Sequence, residues 1–131
     1  MYQLNVTIGE IMDNQPRKHK DSYGTEIIRS AIMALRFCQI GNTEFFNPST
    51  ATEAMYRFRH ENWKKALGCI ENVATMAEIY FEIVRKNGTV ESEKVYKWEK
   101  RIGEACNKSH DLISAIVESD KKVYQGVKPK R

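Results

Sequence analysis

The sequence predicts an all-α fold built on a long antiparallel helical hairpin. Two segments, about 62–86 and 90–122, carry apolar residues three and four positions apart, which is the spacing of one helix face. The link between them contains Asn87 and Gly88, which end a helix, and Thr89, which can cap the next one. Two long helices joined by so short a link fold back on each other.

The first helix of this hairpin has apolar residues on more than half of its circumference. Its main stripe runs from Trp63 to Val84, and a second apolar edge consists of Cys69, Met76, Ile79 and Ile83. A helix that is apolar on two sides is buried on both. We therefore expect a further layer of protein, or another molecule, to cover the second edge.

The second helix of the hairpin is polar outside a single stripe, except near the apolar stretch 112–117. If the residues that flank the turn face each other, Trp98 lies opposite Ala77 and Ala74. Placing a large side chain against two small ones is what dense packing requires.

Two shorter helices are predicted before the hairpin. Residues 25–40 have an apolar helical stripe that can pack beside the hairpin. Residues 51–60 follow a capping box that begins at Thr50 and form a helix or a helical extension of the hairpin. Their apolar pattern differs in phase, by about one residue, from the pattern that starts at Trp63. This phase difference predicts a break or bend near 59–62.

The first twelve residues fit two patterns. Alternating apolar residues at Tyr2, Leu4, Val6 and Ile8 are typical of a strand, whereas Leu4, Ile8, Ile11 and Met12 lie on one face of a helix. The pattern alone leaves both structures open. One short N-terminal strand is therefore the single alternative to a wholly helical chain.

The net charge of +4 arises mainly at the C-terminal end. Five of the 21 Lys and Arg residues lie in 121–131, which leaves 16 basic against 17 acidic residues elsewhere. A body so close to neutral argues against the broad basic face of a duplex-binding domain. The predicted organisation is one domain, 1–131, with an N-terminal arm and basic loop at 1–24 and a flexible basic tail at 124–131.

Cysteine usage and hydropathy predict a cytoplasmic protein. The three cysteines are an odd number without metal-ligand spacing, which is typical of free thiols in a reducing compartment. The N-terminus lacks the features of a signal peptide, and no long apolar run predicts a membrane span.

The chemical motifs argue against catalysis. His60 and Glu61 begin like a zinc-protease motif, but a lysine stands where the second histidine is needed. Glu71, Glu78 and Glu82 form an acidic helix face of the kind that binds magnesium in helical nucleotide hydrolases, but a solvated face fits them better. No glycine-rich phosphate loop or serine-nucleophile motif occurs. The sequence therefore predicts no enzyme activity, no catalytic or metal-binding residue and no cofactor.

The predicted function is protein–protein contact, as an adapter, an inhibitor or a self-assembling accessory subunit. Aromatic and large apolar side chains supply most of the binding energy in such interfaces. The predicted partner is another protein or a second copy of the chain. The candidate interface residues are Phe45, Phe46, Tyr56, Phe58, Met76, Ile79 and Ile83.

The alternative function is binding of a phosphate-rich ligand, either nucleic acid or a nucleotide. A loop of cations with a nearby aromatic ring can hold phosphate while the ring stacks on a base. The basic stretch PRKHK, at 16–20, and the C-terminal tail supply such cations. The candidate residues are Arg17, Lys18, Lys20, Tyr23, Arg57 and Arg59.

Overall fold

The computed structural model describes residues 1–16, 20–43 and 52–127. Within these ranges it contains no strand and four α-helices: α1 Tyr2–Asp13, α2 Thr25–Gly41, α3 Glu53–Asn87 and α4 Ser92–Val127. A π-helical turn, Lys20–Gly24, leads into α2. The prediction of an all-α fold is confirmed, and the N-terminal segment is a helix.

The stripe of α1 explains why this segment is a helix. Leu4, Ile8, Ile11 and Met12 are at most 1% exposed, whereas Tyr2 is 76% exposed. An alternating strand would place Tyr2 and Leu4 on the same face, so the burial follows the helical period. Burying each of these side chains contributes roughly 1.5–3 kcal/mol, and helical backbone bonds spare the segment from needing a strand partner.

The four helices pack in a ring in which α1 contacts α2 and α4, and α3 contacts the same two helices. Each helix runs antiparallel to the next, which is the up-down-up-down arrangement of a four-helix bundle. The pairs that fix these directions are Asn72 with Ser30 at 2.7 Å, Arg101 with Glu10 at 2.8 Å and Arg59 with Asp120 at 2.8 Å. The core lies between the helices and includes the fully buried Tyr80 and Phe81 of α3.

The helix α3 runs without interruption from Glu53 to Asn87, so the predicted break near 59–62 is wrong. Arg59 and Asn62 are both buried, and they continue the inward face of the helix to Trp63. The sequence pattern counted only apolar residues as inward, so two buried polar residues looked like a change of phase. The observed N-cap is Thr52, whose Oγ1 accepts a hydrogen bond from the Met55 N–H at 3.2 Å; the predicted capping residue, Thr50, lies outside the described residues.

The hairpin turn is predicted correctly in kind but not in register. Gly88 adopts the left-handed conformation, with φ of 66°, that ends α3. However, α4 begins only at Ser92, and this longer link moves the pairing by about one helical turn. The Trp98 ring consequently lies 6.4 Å from the ring of Phe81 rather than opposite Ala77 and Ala74.

Candidate binding groove

The helix α1 covers only part of the face of α3 that lies between α2 and α4. This helix has 12 residues, whereas α3 has 35 and α4 has 36. Met1, just before α1, lines a groove together with Trp63 of α3 and Ile113 of α4. The α2 side of this groove is short, because α2 ends at Gly41, which packs against Trp63, whereas α4 continues to Val127.

A groove of about 620 Å³ occupies this position. Its size is within the range of ligand and peptide sites in proteins. Its walls come from α2 and α4, and its floor comes from α3 and the start of the chain. The lining residues are Met1, Cys38, Gln39, Asn42, Trp63, Ser109, Leu112, Ile113, Ala115, Ile116 and Ser119, none of which has a charged side chain.

The α4 wall is apolar because it continues the face that packs on α1. Arg101 on this face reaches Glu10 of α1, and Leu112 lies three helical turns further along the same face. Leu112 is 55% exposed because no residue of α1 covers it. The next residue, Ile113, faces the core of the bundle and is 2% exposed. The sequence signal for this wall was the apolar stretch 112–117, which none of the candidate sites included.

A buried polar network holds the floor of the groove in place. The Arg59 guanidinium donates to both carboxylate oxygens of Asp120, at 2.8 and 3.1 Å, and to the carbonyl of Gly41 at 3.3 Å. The Trp63 indole N–H donates to the same carboxylate at 3.2 Å. These bonds join α2, α3 and α4 at one end of the bundle, so the Trp63 ring presents a fixed surface. Burial raises the pKa of Cys38, in the groove wall, to about 11, so this thiol is protonated and unreactive at neutral pH.

The predicted interface residues that the structure describes do not form one surface. Cys69 and Met76 of the second apolar edge are half-buried against the core, because α2 covers that part of α3. The side-chain amide of Asn72 donates a hydrogen bond to Ser30, near the start of α2. Ile79 lies about two turns further along α3, past the start of α2, and is therefore 42% exposed. Ile83 is half-buried.

Aromatic candidates divide in the same way. Tyr56 stacks on Tyr124 of α4, with 4.3 Å between ring centroids, so it packs within the hairpin itself. Phe58 is exposed near the start of α3. Phe45 and Phe46 lie outside the described residues.

The structure does not bring the described phosphate candidates together. Arg59 was predicted to bind phosphate, but its guanidinium is buried in an ion pair with Asp120 and does not face solvent. Arg57 is exposed and pairs with Glu53 at 2.7 Å. Tyr23 is half-buried near the start of α2, at the opposite end of the bundle from Arg57.

The remaining phosphate candidates are Arg17, Lys18 and Lys20. Arg17 and Lys18 lie outside the described residues. The backbone of Lys20 belongs to the π-helical turn, and its side chain lies outside the described part of the structure.

The acidic and histidine candidates take part in ordinary helix contacts. Glu71 lies 3.6 Å from the His110 imidazole, and the Arg85 guanidinium beside Glu82 lowers the pKa of that carboxyl. Across the described ranges, no three His, Cys, Asp or Glu side chains are grouped so that they could hold a metal ion. In the same ranges, none of the helices combines the length and apolar character needed to cross a membrane.

Comparison with known proteins finds no match among family models, curated proteins or solved structures.

Proposed function

We propose that this protein acts by protein–protein contact and that it binds its partner in the groove beside Leu112. The observation that carries this proposal is a mainly apolar groove between α2 and α4, with Leu112 and Ile116 on its wall and Trp63 at its floor. Concave, mostly apolar sites with a few polar groups are where proteins usually bind ligands and partner side chains. Covering Leu112 and Ile116 would remove apolar area from water, which favours association.

The alternative of phosphate binding has weaker support. Arg57 and Arg59 are each paired with a carboxylate, and the side chains that line the groove include no Lys, Arg or His. The absence of enzyme activity and the cytoplasmic location stay predictions from the sequence.

The proposal is tested by photo-crosslinking in cells of the source organism. The photoreactive residue benzoylphenylalanine replaces Leu112 in one variant and Tyr96, which is exposed on α4 near the hairpin turn, in a control variant. We expect a protein adduct from position 112 and none from position 96. Adducts from neither position, together with a monomeric native mass at high concentration, would contradict a role in protein contact.

A further inference from the structure

We infer that the chain self-associates, with the outer face of α2 in one copy packed on the outer face of α3 in the next. This inference goes beyond the proposed function, because it concerns two faces away from the groove and a second copy of the chain as the partner. Three properties of the two faces match each other: the sign of their charges, the spacing of those charges and the shape of the surface between them.

The outer face of α2 carries two exposed arginines, Arg29 and Arg36. They are seven residues apart, so they lie on one face of the helix, about 10 Å from each other along its axis. Neither is paired with a carboxylate of the described residues, and the acid of α2, Glu26, lies instead beside the Asn72 amide of α3. The other described arginines each form an ion pair with a carboxylate: Arg57, Arg59, Arg85 and Arg101. The two charges on α2 are therefore available to a partner.

The outer face of α3 carries two exposed glutamates with the same spacing, Glu71 and Glu78. Glu71 lies 3.6 Å from the His110 imidazole, and Glu78 is not paired with a cation of the described residues. In an antiparallel packing of the two helices, Arg29 lies opposite Glu78 and Arg36 lies opposite Glu71. Hydrogen-bonded pairs of a guanidinium and a carboxylate are among the stronger polar contacts in proteins.

The surfaces between these charges are complementary in shape. Ile32 lies midway between the two arginines and is 40% exposed, whereas the small side chains of Ala74 and Thr75 lie midway between the two glutamates. Beside Ala74, between α3 and α4, is a hollow of about 170 Å³, which has room for one apolar side chain. Its lining residues are Ala74, Ala77, Glu78, Glu99, Ile102 and Gly103. Placing Ile32 there fills the hollow and removes apolar area from water.

The two faces belong to different helices, so the contact is heterologous. One contact leaves a basic face free on one copy and an acidic face free on the other, and assembly continues into a closed ring or a filament. The charged pairs lie at an exposed surface, where each ion pair contributes little and salt screens it. Self-association is therefore weak and decreases as the salt concentration rises.

Sedimentation equilibrium of the full chain, over a series of protein concentrations at low and at high salt, measures this association. We expect the average mass to rise above that of the monomer with concentration at low salt, and to rise less at high salt. Circular dichroism and thermal unfolding establish that each variant described below is folded.

Reversal of the charges on one face at a time identifies the two faces. Arg29→Glu with Arg36→Glu, or Glu71→Lys with Glu78→Lys, places like charges opposite each other, and each pair of changes should weaken self-association by about tenfold or more. An equimolar mixture of the two variants places opposite charges together again. We expect this mixture, and a chain that carries all four changes, to associate about as strongly as the natural chain.

Two further variants separate this contact from effects of net charge and of helix stability. Lys121→Glu with Lys122→Glu changes the net charge as much as reversal of the two arginines does, at exposed positions near the end of α4, and should leave self-association unchanged. Gly103→Leu places a side chain in the hollow, where an added Cβ meets no atom within 4 Å. It should weaken self-association while the fold is retained.

Three results would overturn the inference. The first is a monomer at every concentration, which would mean that no second copy occupies these faces. The second is self-association that both charge-reversed variants retain, and the third is a loss in both variants that their mixture does not restore. The crosslinking experiment tests the groove separately, because Leu112 lies outside both faces and the control position Tyr96 lies about 10 Å along α4 from Gly103. An adduct at position 112 with a monomeric chain would therefore remove this inference and leave the proposed function standing.

Discussion

Removal of the Asp120 carboxylate tests whether the buried network fixes the floor of the groove. Asp120→Ala removes the carboxylate that accepts from the Arg59 guanidinium and from the Trp63 indole N–H, and the Arg59 charge stays buried with the Gly41 carbonyl as a neutral acceptor. Breaking a buried ion pair from one side costs about 3–5 kcal/mol, because an uncompensated charge remains in the interior. The free energy of unfolding of the whole domain is only about 5–15 kcal/mol. We therefore expect a large but measurable loss.

Urea unfolding, followed by circular dichroism and extrapolated to water, measures this loss. Arg57→Ala is the matched control, because Arg57 lies on the same helix in an ion pair that is largely exposed; it should cost about 0.5 kcal/mol or less. The double change Arg59→Met with Asp120→Leu should cost less than Asp120→Ala alone, since no buried charge is left. A loss below about 1 kcal/mol for Asp120→Ala, or a double variant as unstable as the two single changes combined, would refute this reasoning.

Three further predictions concern the packing of the bundle. Gly41→Ala places a methyl group 3.3 Å from a side chain of α3 and should lower the free energy of unfolding by about 1 kcal/mol. Gly68→Ala places its methyl group in open space on a helix and should raise the free energy of unfolding by about as much. Urea unfolding measures both changes, and changes of the same sign would contradict this prediction. Tyr80→Phe removes the hydroxyl that donates to the Gln15 side chain at 3.0 Å, so the same assay should give a loss of about 1–2 kcal/mol, and an unchanged stability would count against this bond. Burial raises the pKa of the Cys106 thiol from its ordinary value near 9 to about 11. The unfolded chain therefore loses this proton at lower pH than the folded chain does, and the free energy of unfolding decreases as pH rises from 9 to 11. Cys106→Ala should show a smaller decrease over this pH range, and an identical decrease would exclude this thiol as a cause.

The sequence predicts the helices of this protein better than it predicts their junctions. The long stripes of α3 and α4 and the stop at Gly88 are visible in the apolar spacing and in one residue type. The apolar pattern gave the wrong result at Arg59, because the burial of this residue depends on its ion pair with Asp120, which is 61 residues away in the sequence. An ion-pair partner so far away in the sequence leaves no periodic signal. Without sight of that partner, Arg59 was interpreted as an exposed cation that could bind phosphate.

The groove illustrates a second limit. The stretch 112–117 stood out as apolar on an otherwise polar side of the helix, but its exposure follows from where α1 begins relative to α4. That placement is set by the burial of Leu4, Ile8, Ile11 and Met12 of α1 against the other helices. Periodicity gives the faces of helices, whereas the relative placement of helices follows from contacts that only the folded chain brings together.

Methyl NMR of the chain, titrated with the protein that crosslinks at position 112, tests the central claim most directly. Isoleucine and leucine methyl signals report separately on the groove and on the exposed second edge of α3. The account predicts that this partner shifts the signals of Leu112, Ile113 and Ile116 and leaves that of Ile79 unchanged. Shifts at Ile79 with unchanged signals from the three groove residues would show that the partner binds elsewhere.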